Sequence, residues 1–307
     1  MSTGRVLVTG ATGIVGRQTL SPFVASGFEV HAVSRSSPPK IAAGVPVAWH
    51  SVDLLESGAF PELMARAQPT HLLHLAWCTE PGVFWTSPEN ARWERASLAL
   101  LEAFAASGGQ RAVLVGSCAE YDWNREDGNP WRESDPCRPA TPYGQAKHAL
   151  GRAAMAFAER EGLSLAWARL FLMFGPGEDE RRLLPSIVLA LLRGKEAQCS
   201  SGRYIRDFSD TRDVAAALVS LVAAEYAIGP VNVASGRATS IAELARLLAD
   251  MVGRPELLRL GALPDRSGEP PFMVADVSRL KEEIGFTPTH TLTERLADCI
   301  AGYRKAQ

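Results

Sequence analysis

Tyr143, Lys147 and the hydroxyl of Ser117 are the residues of this sequence best suited to acid–base chemistry on a carbonyl group. Tyr143 and Lys147 stand at i and i+4 on a helix expected to begin at Pro142, so both project from one helical face. Ser117 falls at the carboxyl end of a strand-like run, Ala112–Gly116. A free tyrosine has a pKa of ~10, and a nearby ammonium lowers it because the positive charge favours the phenolate. Such a tyrosine can protonate an oxygen that gains charge as hydride reaches its carbon, while Ser117 holds that oxygen. Lys147 can also bind a nicotinamide ribose. A Tyr-x-x-x-Lys match alone also fits a surface aromatic beside a solvated lysine. Its weight here comes from Ser117 on the preceding strand and from a glycine loop near the N-terminus.

That loop, Thr9-Gly10-Ala11-Thr12-Gly13-Ile14-Val15-Gly16, follows a strand-like Arg5–Thr9 and opens a helix. The backbone must turn sharply at Gly10, admit a pyrophosphate at Gly13 and pack the helix against the sheet at Gly16. The helix N-terminus adds free N–H groups and a positive dipole end. A glycine triplet alone also serves plain tight turns; the strand–turn–helix setting makes Gly10, Thr12, Gly13, Ile14 and Gly16 candidates for dinucleotide binding. After the second strand comes Ser34-Arg35, with no carboxylate for a ribose 2′-hydroxyl. Arg35 suits a 2′-phosphate through its fork of donors, or is a solvated loop arginine. NADP is therefore favoured over NAD. Asp53 and Leu54, after the third strand, are placed beside the adenine.

Strand-like and helical runs alternate along the first half of the chain. Strands are expected at Arg5–Thr9, Glu29–Ser34, Val45–Trp49, His71–Leu75, Ala112–Gly116 and Ser164–Leu170. Helices are expected near 14–26, 59–67, 88–107 and 142–161, two of them announced by Ser87-Pro88 and Thr141-Pro142. Nearly all-apolar strands in this order imply an α/β fold, a Rossmann-type doubly wound parallel sheet covered on both faces, with ligands at the carboxyl ends of the strands. After Gly175-Pro176-Gly177 the rhythm changes. Helices are expected near 183–193 and 213–224, and capping boxes at Ser240–Glu243 and Thr291–Glu294 start two more, with loop over 260–271. The organisation expected is a dinucleotide-binding domain over 1–170, with a return segment near 206–234. A smaller α/β lobe over 171–205 and 235–307 closes on its crevice.

Composition narrows the classes. With 46% hydrophobic and 21% charged residues among 307, the chain has ordinary globular composition. A net charge of −2 carries no basic field for nucleic acid. The longest apolar stretch, Val214–Ala224, is too short to span a bilayer, and Met1 to Arg5 leave no room for a signal peptide ahead of the first strand. Five cysteines without a CxxC pair fit reduced thiols in a cytoplasm. No metal site is expected: His71 and His74, three apart on a strand, face opposite sides and cannot clasp one ion.

The motifs together resemble the extended short-chain dehydrogenase/reductases, in the nucleotide-sugar epimerase/dehydratase/reductase group. The resemblance spans essentially the whole chain. It rests on GATGIVG at 10–16, HLA at 74–76, GSCAEY at 116–121, YGQAK at 143–147, FGPG at 174–177, RDFSDTRDVA at 206–215 and ADVSRLKEEIGFTP at 275–288. It implies an enzyme with Ser117, Tyr143 and Lys147 as catalytic residues and adds Leu75 and Ala76 to the cofactor contacts. It implies a nucleotide-diphosphate sugar as substrate, with Arg206 and Arg266 gripping the diphosphate. Either arginine alone also reads as a surface ion pair. A homodimer through the helices at 88–107 and 142–161 is implied as well.

The departures from the family pattern narrow the chemistry. Dehydratases of the group carry Asp-Glu directly after the active-site hydroxyl; Cys118-Ala119 stand there instead. Enzymes that epimerise two carbons before reducing use a Cys and a His where Ala119 and Gly177 stand. Leu172 replaces a substrate-binding Asn and Trp93 a helix Asn, which makes the sugar pocket more apolar, as a deoxysugar would prefer. Cys118, beside the substrate, reads as a space-filler rather than a nucleophile. Trp77, Phe84, Trp85 and Trp93 form either a stacking wall or core packing. The leading expectation is an NADPH-dependent ketoreductase acting on a nucleotide-linked 4-keto-6-deoxy sugar. An NAD-dependent nucleotide-sugar 4-epimerase comes second, and a non-catalytic NADP-binding protein third.

Overall fold

The structure, a computed structural model, describes residues 4–35, 44–56, 58–266 and 268–306. Met1, Ser2, Thr3 and Ser267, which enter the sequence reading, lie outside the described residues. In the first half, strands and helices alternate as β1 (Gly4–Thr9), α1 (Gly16–Ala25), β2 (Phe28–Ser34), β3 (Val47–Ser51), α2 (Phe60–Ala67), β4 (His71–His74), α3 (Glu89–Ala106), β5 (Arg111–Ser117), α4 (Pro142–Glu161) and β6 (Ser164–Leu170). Then come β7 (Leu172–Phe174), α5 (Leu183–Leu192), β8 (Ala197–Gln198), β9 (Ile205–Arg206), β10 (Phe208–Asp210), α6 (Thr211–Ala223) and β11 (Gly229–Val233). The chain ends with β12 (Thr239–Ser240), α7 (Ile241–Val252), β13 (Leu258–Arg259), β14 (Phe272–Met273) and α8 (Leu292–Ala306).

Seven strands form one parallel sheet in the order β3-β2-β1-β4-β5-β6-β11. The order reverses at β1, where β2 and β4 flank it with Val8 opposite Ala32 and Leu73. That reversal opens the crevice in which doubly wound sheets bind ligands. Alternate side chains serve opposite faces. Val6 and Val8 meet Phe23 of α1 and Leu218 of α6, while Leu7 meets Leu63, Leu101 and Phe104 of α2 and α3. A third core joins Leu184, Ile187 and Leu191 of α5 to Leu244 and Leu248 of α7 and Leu296 and Ile300 of α8. The short strands β7 to β10 and β12 to β14 pair in sheets of two or three around it.

Helix starts follow the sequence signals at α4, α7 and α8 and differ from them at α3 and α6. The Thr141 hydroxyl accepts the Gly144 N–H at 3.1 Å, and Ser240 and Thr291 complete capping boxes with Glu243 and Glu294. At the head of α3 the helix boundary falls at Pro88, and the Ser87 hydroxyl accepts the Glu89 N–H at 3.2 Å. Helix α6 begins at Thr211, two residues before the expected start, because the Asp210 carboxylate caps it through the Arg212 N–H. Among the described residues, no helix is long and apolar enough to cross a membrane.

Candidate active site

The glycine loop joins β1 to α1 at the reversal point of the sheet. Gly10 sits at φ +67°, and a Cβ there would lie 2.8 Å from the Ala76 nitrogen. Gly10 therefore needs both left-handed backbone and close approach to the end of β4. Gly16 rests on the Gly10 carbonyl, and the Gly13 N–H closes the turn onto the same oxygen at 3.0 Å. Thr12 and Gly13 are exposed, Ile14 is half-buried, and no side chain caps the start of α1, where the Arg17 N–H donates to the Gly13 carbonyl at 3.1 Å and the Gln18 N–H to the Val15 carbonyl at 2.9 Å. Leu75 and Ala76 lie directly beside Gly10. Ser34 is buried at the end of β2, Arg35 is exposed just beyond it, and exposed Asp53 and buried Leu54 follow β3. Asp53 accepts the Leu55 N–H at 3.0 Å and Leu54 is buried in the core. The loop, close against the end of β4 at the reversal point of the sheet, fits the phosphates of a dinucleotide.

Ser117 ends β5 at the same edge of the sheet and is half-buried. Tyr143 and Lys147 project from the first turns of α4 toward it, and the Ser117 side chain faces the Tyr143 hydroxyl. The Tyr143 hydroxyl lies well above its ordinary pKa, chiefly through burial; Ser117 and Arg182 pull the other way, and Cys118 and Glu120 push it further up. This is opposite to the lowering expected from Lys147. The Lys147 ammonium instead donates to the Val115 carbonyl at 2.8 Å and lies 3.7 Å over the Trp77 ring. Burial brings Lys147 down to about 7, against an upward pull from Glu120. Lys147 is thus poised to change charge near neutral pH. His74 hydrogen-bonds Thr9 and Ser97, each at 2.7 Å, and burial followed by the Lys147 charge brings it down to about 3, so it is neutral.

Aromatic rings enclose Tyr143. Phe84, Trp85 and Trp77 lie edge-on at 4.9, 5.6 and 6.3 Å between centroids, and the Trp85 carbonyl accepts the Tyr143 N–H at 3.1 Å. Trp93 stacks behind Trp77 at 6.2 Å and is core, so the four aromatics divide between the two roles left open. Asn90, which the sequence reading passed over, holds this wall: it accepts from Trp77 Nε1 at 2.9 Å and donates to the Phe84 carbonyl at 2.8 Å. Cys118 is packed against the core, and burial pushes its thiol up to about 12, so it stays neutral as a space-filler would.

Glu120 was also missed. Its carboxylate, 1% exposed, accepts the Ser117 N–H at 2.7 Å, Trp167 Nε1 at 3.0 Å and Arg169 Nε at 3.2 Å. Ser117-x-x-Glu120 matches the capping-box spacing, which was the available signal. At the opposite wall, Leu172 opens β7, half-buried. Arg206 is 3% exposed and donates to Glu269 at 2.9 Å and to the Pro270 carbonyl at 2.8 Å. Arg266 is exposed and lies 3.6 Å from the same carboxylate. Both arginines expected at the diphosphate therefore converge on Glu269, and a bound diphosphate would share or displace that carboxylate.

Residues 6–234 match the NAD dependent epimerase/dehydratase family. The dTDP-6-deoxy-L-talose 4-dehydrogenase (NAD(P)(+)) of Kitasatospora kifunensis is 30% identical over 305 residues, 96% of this chain and 94% of the relative. The dTDP-L-rhamnose 4-epimerase of Burkholderia thailandensis is 27% identical, over 96% of this chain and 93% of the relative. The structure of MoeE5 in complex with UDP-glucose and NAD superposes with a TM-score of 0.86 at 32% identity, covering 99% of each chain. With the glycine cradle and the Ser–Tyr–Lys geometry on one sheet edge, these matches give one conclusion: the chain belongs to the NAD dependent epimerase/dehydratase family and is an enzyme of the extended short-chain dehydrogenase/reductase type.

Proposed function

We propose that the protein is an NADPH-dependent ketoreductase acting on a nucleotide-linked 4-keto-6-deoxy sugar. The observation that carries this reading is the Ser117–Tyr143 hydroxyl pair, followed by a neutral thiol and a methyl group where a dehydratase needs its acid–base pair. When bound, the reduced nicotinamide supplies the hydride. Tyr143 holds a proton at its hydroxyl and releases it to the oxygen that becomes the alcohol, Ser117 orients that oxygen, and the aromatic wall excludes water. Lys147, one turn along α4 and charged below about pH 7, is the residue assigned to the nicotinamide ribose. A 4-dehydrogenase, as the Kitasatospora relative is named, runs this hydride step in the opposite direction. The apolar wall and Leu172 suit a sugar lacking the 6-hydroxyl, with Arg206 and Arg266 at the diphosphate. The reading also places a homodimer interface on α3 and α4, which light scattering would check against a monomer mass.

Exposed Arg35 beside Ser34 supports NADP over NAD. Arg35→Ala is expected to weaken NADPH binding about tenfold and leave NADH binding within twofold, since only one cofactor carries the 2′-phosphate. Quenching of the tryptophan fluorescence measures both; equal losses for the two cofactors would contradict the assignment. The direct test of the function is NADPH oxidation that depends on an added nucleotide-linked 4-keto-6-deoxy sugar. The second reading, a 4-epimerase, is favoured by the Burkholderia relative's name. It requires NAD that survives purification and C4 inversion with no net change in nicotinamide.

A further inference from the structure

We propose that Glu120 is the anionic footing of the Ser117–Tyr143–Lys147 group: its buried carboxylate fixes the Ser117 backbone and is the counter-charge to Lys147 beneath the site. It touches neither cofactor nor substrate and is a positioning residue. The proposal rests on the reading that these three residues perform the chemistry.

The geometry starts from the end of β5. A Cβ on Gly116 would lie 2.6 Å from Trp167 Cε2 and would also strike the Glu120 carboxylate, so Gly116 leaves room for that carboxylate beneath the strand. Glu120 then reaches back under Ser117 to take its N–H, and Trp167 and Arg169 of β6 complete its shell. Arg169 is itself held by the Tyr121 hydroxyl at 3.2 Å, the Glu133 carbonyl at 3.1 Å and the Cys137 thiol at 3.1 Å. Glu120, Cys137 and His148 place ligand-type atoms within 4.8 Å of one another. The Arg169 guanidinium already bonds the Glu120 oxygen and the Cys137 sulfur, so the cluster's cation is Arg169 rather than a metal.

The turn bearing Glu120 packs directly on α4, since Gly144 abuts the Ala119 carbonyl. Lys147, one turn further along α4, bonds the Val115 carbonyl two residues before Ser117. The groups facing Lys147 are neutral His74 from β4, the Trp77 ring, Tyr143 on its own helix, and Glu120 from below. Glu120 is the anion among them, and its pull opposes the burial that strips charge from Lys147. A buried ion pair under the site is costly unless every partner is satisfied, as it is here, and such pairs are weak stabilisers. Its use is to hold charge where the chemistry needs it.

The test is the titration of Lys147 in the full chain, read from the side-chain 15N NMR signals of the five lysines, Lys40, Lys147, Lys195, Lys281 and Lys305. The Lys147 signal is the one lost in Lys147→Arg. Glu120→Gln is expected to lower the Lys147 midpoint by about one unit, a tenfold fall in the ammonium-to-amine ratio at a given pH. Arg169→Gln disrupts the same hydrogen-bond network and is expected not to lower the midpoint. Should Glu120→Gln not fold, the neutral pair Glu120→Gln with Arg169→Gln is expected to show the same fall. An unchanged midpoint on loss of the carboxylate, or an equal fall in Arg169→Gln, would overturn the proposal. The readout needs no turnover, so its failure is distinct from failure of the ketoreductase reading.

Discussion

Tyr143→Phe is expected to lower kcat about a thousandfold while leaving cofactor affinity within a few fold. The substitution removes one hydroxyl and nothing else. The ring stays clamped edge-on by Phe84, Trp85 and Trp77, and its backbone N–H keeps the Trp85 carbonyl. The lost group is the hydroxyl proton source that faces Ser117, and the Cys118 thiol beside that serine is packed against the core. Steady-state turnover and fluorescence titration of the cofactor separate the two effects. A kcat within tenfold of the parent would mean that the proton comes from elsewhere.

Gly16→Ala should act on binding rather than chemistry. A Cβ there falls 2.8 Å from the Gly10 carbonyl carbon and 2.9 Å from Ala11 Cα, both backbone atoms of the phosphate loop. Gly10 cannot retreat, because its positive φ and the Ala76 nitrogen hold it from the other side. The loop must open, and cofactor affinity is expected to fall about a hundredfold, ~2.8 kcal/mol, with a lower Tm. Gly302→Ala in α8 meets no atom within 4 Å and serves as the contrast: unchanged affinity and a Tm at or above the parent's. Equal behaviour of the two variants would contradict the account of the loop.

The parts of the site that were legible in the sequence are local ones. Gly10, Gly13 and Gly16 announce a strand–turn–helix, and the four-residue step from Tyr143 to Lys147 puts both on one face of α4 whatever surrounds them. The parallel sheet was legible for the same reason, since buried strands are apolar runs with helices between them. What escaped depends on partners distant in the chain. Glu120 is one acid among several after β5, with Asp122, Glu126 and Asp127 close behind, until β6 brings Trp167 and Arg169, 47 and 49 residues later, beneath it. The pairing of Arg206 with Glu269 spans 63 residues, and Asn90 is ordinary until Trp77 and Phe84 fold over it. The direction of the Tyr143 shift escaped as well. Spacing places Lys147 near Tyr143, whereas burial and the aim of the ammonium at Val115 decide the net effect. Two-residue strands such as β8 and β13 exist only through each other and carry no periodicity of their own.

The most direct test of the central claim is a mass balance on one incubation: protein, NADPH and a nucleotide-linked 4-keto-6-deoxy sugar, with nicotinamide followed by absorbance and the sugar by NMR. The account predicts one NADPH consumed for each C4 ketone converted to an alcohol, with the hydride found on C4. A sugar inverted at C4 with the nicotinamide pool unchanged, by protein that retained NAD through purification, would contradict it and make the chain a 4-epimerase.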